Sequence, residues 1–255
     1  MKNRVILVLD SGVGGISVLK KCLHILPNEH FLYVADNKNV PYGNKNSKKL
    51  NKLSLKLIKK YLDDYSIKLI LIACNTLTAS SIEYLRKKVN IPFVGVEPAI
   101  KPALKTMGKT LIISTNSTLK YNKNLRTLKK QNLKNIYFLP IKKLAPKIDE
   151  NLNDLDILQP IINNIMRPYF NENINNIVLG CTHYVFIKKQ IQMAFQNSNI
   201  IFFDGNEAVA NRVKYLLENY ELQNKNLEKG SVTIDLTKKD KKLFNKLNEL
   251  MIKKK

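Results

Sequence analysis

A chain of 255 residues can bury a sizeable core as one large α/β domain or two small ones, and no apolar stretch in it is long enough to span a bilayer. Lys and Arg number 43 against 20 Asp and Glu, a formal net charge of +23, but only five of the basic residues are arginines. The lysines are scattered over helix faces ("LKLIKKYLDD", "YLRKKVN", "FIKKQIQ") rather than gathered with aromatics, and abundant Asn and Ile point to an AT-rich coding bias; specific nucleic-acid binding is not expected.

The N-terminal "MKNRVILVLDSGVGG" has too short an apolar segment for a secretion signal, so a cytoplasmic protein without membrane association is expected. Along the chain, continuous apolar runs predict strands at 4–9, 31–35, 69–73, 91–96, 110–114, 136–139, 176–180 and 200–203. Their lack of alternation is the mark of parallel strands covered on both faces. Helical stripes lie between them: Leu50, Leu53, Leu57, Ile58 and Tyr61 form one, and Leu158, Ile161, Ile162 and Ile165 another. This alternation predicts an α/β fold of mostly parallel sheets flanked by helices. Prolines after a strand in "VGVEPAIKPALK" and the Gly turn of "FFDGNEAVANRV" mark crossovers. They divide the chain into a first domain of residues 1–98 plus 207–255 and a second of 99–206. Leu243, Phe244, Leu247, Leu250 and Met251 predict a C-terminal helix that packs back on the first domain.

In parallel sheets the ligand sits at the carboxyl ends of the strands, and five ends here are rich in small polar groups: "LDSGVGG", "ADNKNVPYG", "ACNT", "STNST" and "GCTHY". The first lacks the third glycine of a dinucleotide fingerprint and any Gly-Lys-Ser/Thr, so its glycines read as a tight turn allowing close backbone approach. Asp10 and Ser11 stand at its mouth.

Cys74 and Cys181 each follow an apolar run and one small residue and precede a helical pattern, as if in two versions of one unit. Three cysteines, odd in number and far apart, do not form a disulfide framework, and Cys22 sits midway along an amphipathic helix as a small hydrophobe would. The spacing is wrong for zinc, no arginine follows for a phosphatase loop, and a thiol hydrolase would leave one cysteine idle. A thiol at a helix N-terminus has its thiolate favoured, and two such thiols across a cleft can act as base and acid on opposite faces of a carbon, inverting it.

Taken in order, "LDSGVGGISVLK", "NVPYGNKN", "IACNTLTAS", "VGVEPAIKPA", "LGCTHY" and "FDGNEAVA" closely resemble the glutamate racemases, cofactor-independent enzymes of the aspartate/glutamate racemase superfamily. The resemblance covers essentially the whole chain, and "GCTHY" is similar to the glutamate rather than the aspartate branch. It implies two similar α/β domains with the active site in the cleft between them. It makes Cys74 and Cys181 the catalytic bases, one for each enantiomer, assisted by Asp10 and His183. It assigns substrate contacts to Asp10, Ser11, Tyr42 and Gly43 in the first two loops, to Asn75 and Thr76 beside Cys74, to Thr115 and Thr118, and to Thr182 and His183.

The resemblance further implies interconversion of L- and D-glutamate for peptidoglycan synthesis, without pyridoxal phosphate or a metal, by a homodimer. Some relatives respond to a peptidoglycan precursor, UDP-N-acetylmuramoyl-L-alanine, and these carry an N-terminal extension not seen here. The sequence departs from the family in "NKN" ahead of Pro-Tyr-Gly and in Val185, where proline is usual. The supporting acidic residue of the second domain falls loosely on "APKIDEN", with Asp149 and Glu150 both open.

Overall fold

The computed structural model describes residues 4–225 and 228–252. The first of its two wholly parallel sheets contains β1 (Val5–Asp10), β2 (Phe31–Ala35), β3 (Ile67–Ile72) and β4 (Phe93–Gly95). The second contains β5 (Lys109–Ser114), β6 (Ile136–Pro140), β7 (Ile174–Gly180) and β8 (Ile201–Phe203), after which the chain returns to the first sheet as β9 (Val232–Leu236). The spatial orders are β4-β3-β1-β2-β9 and β6-β5-β7-β8.

Continuous apolar strands follow from cover on both faces. Ile6, Val8, Tyr33, Leu69 and Leu71 face one core, which also holds the helices Ile16–Ile25 and Asn206–Asn219, while Leu7, Leu9, Val34, Ile70 and Ile72 face another. The second sheet divides likewise, with Leu111, Ile113, Ile177 and Leu179 on one side and Ile112 and Val178 on the other. The Leu50–Tyr61 stripe lies on the helix Ser47–Asp64, which buries Leu50, Ser54, Ile58 and Tyr61 and is capped by the Asn46 side chain.

Both sheets reverse their strand order at one place. From β1 the chain goes to β2 on one side and later to β3 on the other; from β5 it goes to β6 and later to β7. The crevices at the carboxyl ends of β1/β3 and β5/β7 are therefore topological switch points, where such sheets bind ligands. Cys74 follows β3 and Cys181 follows β7, so the repeat seen in the sequence has a topological cause.

The eight predicted strands are all present, and β9 adds a ninth that the apolar runs did not mark. It pairs with β2 from Phe31↔Val232 to Ala35↔Leu236, and beyond it the helix Lys241–Ile252 buries Leu247. Leu243, Leu250 and Met251 pack on the first core as expected, but Phe244 is turned outward and 40% exposed.

Where β9 ends, it is tied to the loop after β2. The Asp36 carboxylate, 1% exposed, accepts hydrogen bonds from Tyr42 Oη (2.7 Å), Thr237 Oγ1 (2.7 Å) and Asn39 Nδ2 (2.9 Å). Replacing Asp36 with alanine strands the buried Tyr42 hydroxyl, and is expected to lower the unfolding free energy by about 1–3 kcal/mol. Thr237→Val, which leaves the other two donors in place, should cost less. Urea denaturation of the two variants checks this, and equal midpoints would contradict it.

Candidate active site

The five polar strand ends meet at one cavity of about 280 Å³. Its wall takes Ser11 from the first, Val40 to Asn44 from the second, Cys74 to Thr76 from the third, Thr115 and Asn116 from the fourth, and Cys181 to Tyr184 from the fifth. A sixth stretch, Ile141 to Pro146 with Asp149 and Glu150, closes it. That stretch follows β6, another carboxyl strand end. Its apolar and lysine-rich sequence, "IKKLAP", lacked the small polar residues that marked the other five.

The two cysteines are held alike. Cys74 (φ −132°, ψ 117°) precedes the helix Asn75–Arg86, and Cys181 (φ −147°, ψ 133°) precedes a 3-10 turn, Thr182–Ile187, that leads into the helix Lys188–Phe195. Both are 7% exposed and carry no disulfide. Burial pushes the Cys74 thiol well above its ordinary value, and the charges of Asp10 and Cys181 push the same way. The backbone amides of Leu77 and Thr76, at the start of the helix, partly offset this by donating to the sulfur. The Cys181 side chain thus acts on Cys74 from the second sheet, and like charge disfavours two thiolates at once.

Behind Cys181 stands a carboxylate–imidazole pair. His183 Nδ1 lies 3.8 Å from Cys181 Sγ, and His183 Nε2 lies 3.0 Å from Asp149 Oδ1. Burial works against protonating this imidazole, but Asp149 and Cys181 together outweigh it and hold its pKa well above the usual histidine range. Of the two acidic residues left open by the sequence, Asp149 is the one in contact with His183; Glu150 lines the cavity without that contact.

The glycine turn is moulded on this pair. A β-carbon at Gly14 would lie 2.5 Å from both His183 Nδ1 and Thr182 Oγ1, and one at Gly12 would lie 3.0 Å from Asp149 Oδ2. Asp10 braces the turn from within, its Oδ2 accepting from the amides of Gly12 (3.1 Å) and Gly15 (3.0 Å). Its Oδ1 is buried with no hydrogen-bond partner.

Asp10 does not itself line the cavity, and neither does Thr118. Both stand just behind the wall. Thr118 closes a hydroxyl cluster with Thr115 (2.8 Å) and Thr76 (3.4 Å), and Thr76 and Thr115 bond directly at 2.9 Å. Thr115 also caps the helix Asn116–Tyr121 by accepting from the Thr118 amide. Gly43 accepts a 2.7 Å bond from Ser117 Oγ, a residue the sequence reading did not single out, although it lies within "STNST". These bonds stitch the β2 and β3 loops to the second sheet. The other expected contacts, Ser11, Tyr42, Gly43, Asn75, Thr76, Thr115, Thr182 and His183, line the cavity together with both cysteines. Among the described residues, no three His, Cys, Asp or Glu side chains are grouped as a metal ion would need, and no helix is long and apolar enough to cross a membrane.

A family model described as Asp/Glu/Hydantoin racemase matches residues 6–213. The chain is 38% identical over 255 residues to a glutamate racemase of Clostridium acetobutylicum, covering 98% of each, and 39% identical over 247 residues to one of Clostridium botulinum (strain Okra / Type B1), covering 92% of this chain and 95% of that one. Among solved structures it is similar to Escherichia coli glutamate racemase in complex with L-glutamate and the activator UDP-MurNAc-ala, with a TM-score of 0.84 and 27% identity over 97% of this chain and 95% of that one. It is also similar to glutamate racemase isoform RacE1 from Bacillus anthracis, with a TM-score of 0.83 and 25% identity over 98% and 94%. With two cysteines at equivalent switch points and a match that spans most of its length, the chain belongs to the Asp/Glu/Hydantoin racemase family.

Proposed function

We infer that this chain is a glutamate racemase that interconverts L- and D-glutamate, in the cytoplasm, for peptidoglycan synthesis. The observation that carries the reading is the presence in one cavity of two buried thiols, each opening a helical segment at an equivalent switch point. Like charges in one cavity repel, so the pair is suited to one thiolate beside one thiol, the state a two-base inversion starts from. The thiolate takes the Cα proton from one face and the thiol returns a proton to the other, so the two sulfurs exchange roles with each turnover.

The same reading gives further groups roles that their placement supports. Asp149 holds His183 against Cys181, and the amides of Leu77 and Thr76 with Asp10 tune Cys74. Ser11, Asn75, Thr76, Thr115 and Thr182 offer hydroxyls, an amide side chain and helix N-termini to the two carboxylates of glutamate, Tyr42 and Gly43 bring the backbone of the second loop to the same cavity, and Thr118 positions Thr76 and Thr115. The expected division into residues 1–98 plus 207–255 and residues 99–206 accords with this reading, since each part would bring one cysteine to the cleft. We further propose that the chain works as a homodimer, with light scattering on the eluted protein as the check.

The reading is tested by the circular dichroism of L-glutamate incubated with reduced, pyridoxal-free protein. The signal should decay to zero. A muramoyl precursor of the kind bound in the Escherichia coli enzyme is included in a parallel sample as a candidate activator. An unchanged signal in both samples, with turnover of aspartate instead, would replace the substrate.

A further inference from the structure

Lys246 lies outside the cavity, on the C-terminal helix Lys241–Ile252, and takes no part in the two proton transfers. That helix is seated on the core of the first sheet. Leu247 is fully buried, Leu243, Leu250 and Met251 pack beside it, and the Leu250 carbonyl accepts a 3.0 Å hydrogen bond from Lys20. From this base the Lys246 ammonium reaches the chain of the second sheet, where it donates a 2.7 Å hydrogen bond to the backbone carbonyl of Asp149. The carbonyl belongs to the last turn of the helix Leu144–Glu150. Carbonyls there have no partner within the helix, and a cation is favoured at that end.

The carboxylate of the same residue stands 3.0 Å from His183, whose other nitrogen is 3.8 Å from Cys181 Sγ. We propose that Lys246 is a positioning residue for the Cys181 side of the site. By holding the Asp149 backbone it sets the carboxylate against His183, and it makes that setting depend on how the C-terminal helix is seated. The proposal rests on the racemase reading above. It concerns Cys181 first, because the His183–Asp149 pair contacts that thiol, while Cys74 is flanked by Asp10 and the amides of Leu77 and Thr76.

The test uses the full chain as wild type, Lys246→Met, Lys246→Arg, Asp149→Asn and Lys242→Met, the last an exposed lysine on the same helix. Each is assayed with L- and D-glutamate carrying hydrogen or deuterium at Cα. Lys246→Met is expected to lower kcat about tenfold, because small displacements at a reacting centre are costly, with KM held within about twofold. Its primary isotope effect should rise for one enantiomer only, the same one for which Asp149→Asn raises it. Lys246→Arg should restore most of kcat, and Lys242→Met should behave as wild type.

Isotope effects for Lys246→Met that rise equally with both enantiomers, or with neither, overturn the proposal, as does the same pattern in Lys242→Met. A fall in melting temperature with unchanged isotope effects shows a purely structural lysine and also overturns it. Failure of the wild type to racemise glutamate sinks the racemase reading and the proposal with it, and is told apart by the wild-type assay alone.

Discussion

Cys74→Ser and Cys181→Ser each lose racemisation, by about 10²–10⁴-fold, the range over which a positioned acid or base contributes. A serine hydroxyl at either position keeps its proton at any working pH, so it cannot serve as the base. Both directions of the reaction cross the same two proton transfers, and each variant therefore slows both. What survives should differ between them. In D₂O the thiol left in each variant can still remove the α-proton of its own enantiomer, exchange it with solvent and return deuterium to the same face. Cys181→Ser should therefore wash deuterium slowly into one enantiomer without inverting it, and Cys74→Ser into the other. Proton NMR of each enantiomer at early times reads this out. Racemisation at the wild-type rate by either variant, or exchange of both enantiomers by the same one, would sink the two-base assignment.

Much of this architecture can be read from the chain because burial on both faces leaves a strong imprint. Each of the eight apolar runs had one available explanation, and each is a parallel strand. β9 escapes because its sequence is mixed and none of its residues is fully buried. Its "VTIDL" places Thr233 and Asp235 among the apolar residues, and Asp235 accepts a 2.6 Å bond from Tyr61 rather than joining a core. The other edge strands, β4, β6 and β8, keep apolar runs, but a five-residue stretch of mixed character looks like loop.

The site divides along the same line. Residues directly after buried strands, above all Cys74 and Cys181, are legible because an apolar run that ends in small polar groups at a carboxyl edge has few structural explanations. The groups that brace them are not legible. The bonds of Asp36 to Thr237, of Ser117 to Gly43 and of Lys246 to Asp149 join residues 74 or more positions apart. No local pattern encodes such pairings. The choice between Asp149 and Glu150 was open for the same reason: adjacent residues near a helix end differ in what they face, and that is fixed by how the helix Leu144–Glu150 packs on the Thr182–Ile187 turn.

Gly14→Ala is expected to lower kcat/KM about 10²-fold while the protein still folds. The added methyl would stand 2.5 Å from His183 Nδ1 and from Thr182 Oγ1, far inside ordinary contact, so one side must move. His183 has little room to do so. It is 5% exposed, and its far nitrogen is held 3.0 Å from Asp149, against which Gly12 also packs. The turn is equally confined, because Asp10 Oδ2 holds the amides on either side, at Gly12 and Gly15. Overpacking of this kind costs about 1–3 kcal/mol, which a protein of this size can absorb. The imidazole cannot absorb the displacement without changing its distance to Cys181, and shifts of about 1 Å at a reacting centre are enough for a loss of that size. Gly43, where a β-carbon would meet Thr115 no closer than 3.7 Å, supplies the contrast in stability: Gly43→Ala should melt with the wild type, and Gly14→Ala below it. Wild-type kcat/KM in Gly14→Ala would show that the His183 ring has no part in setting the reactivity of Cys181.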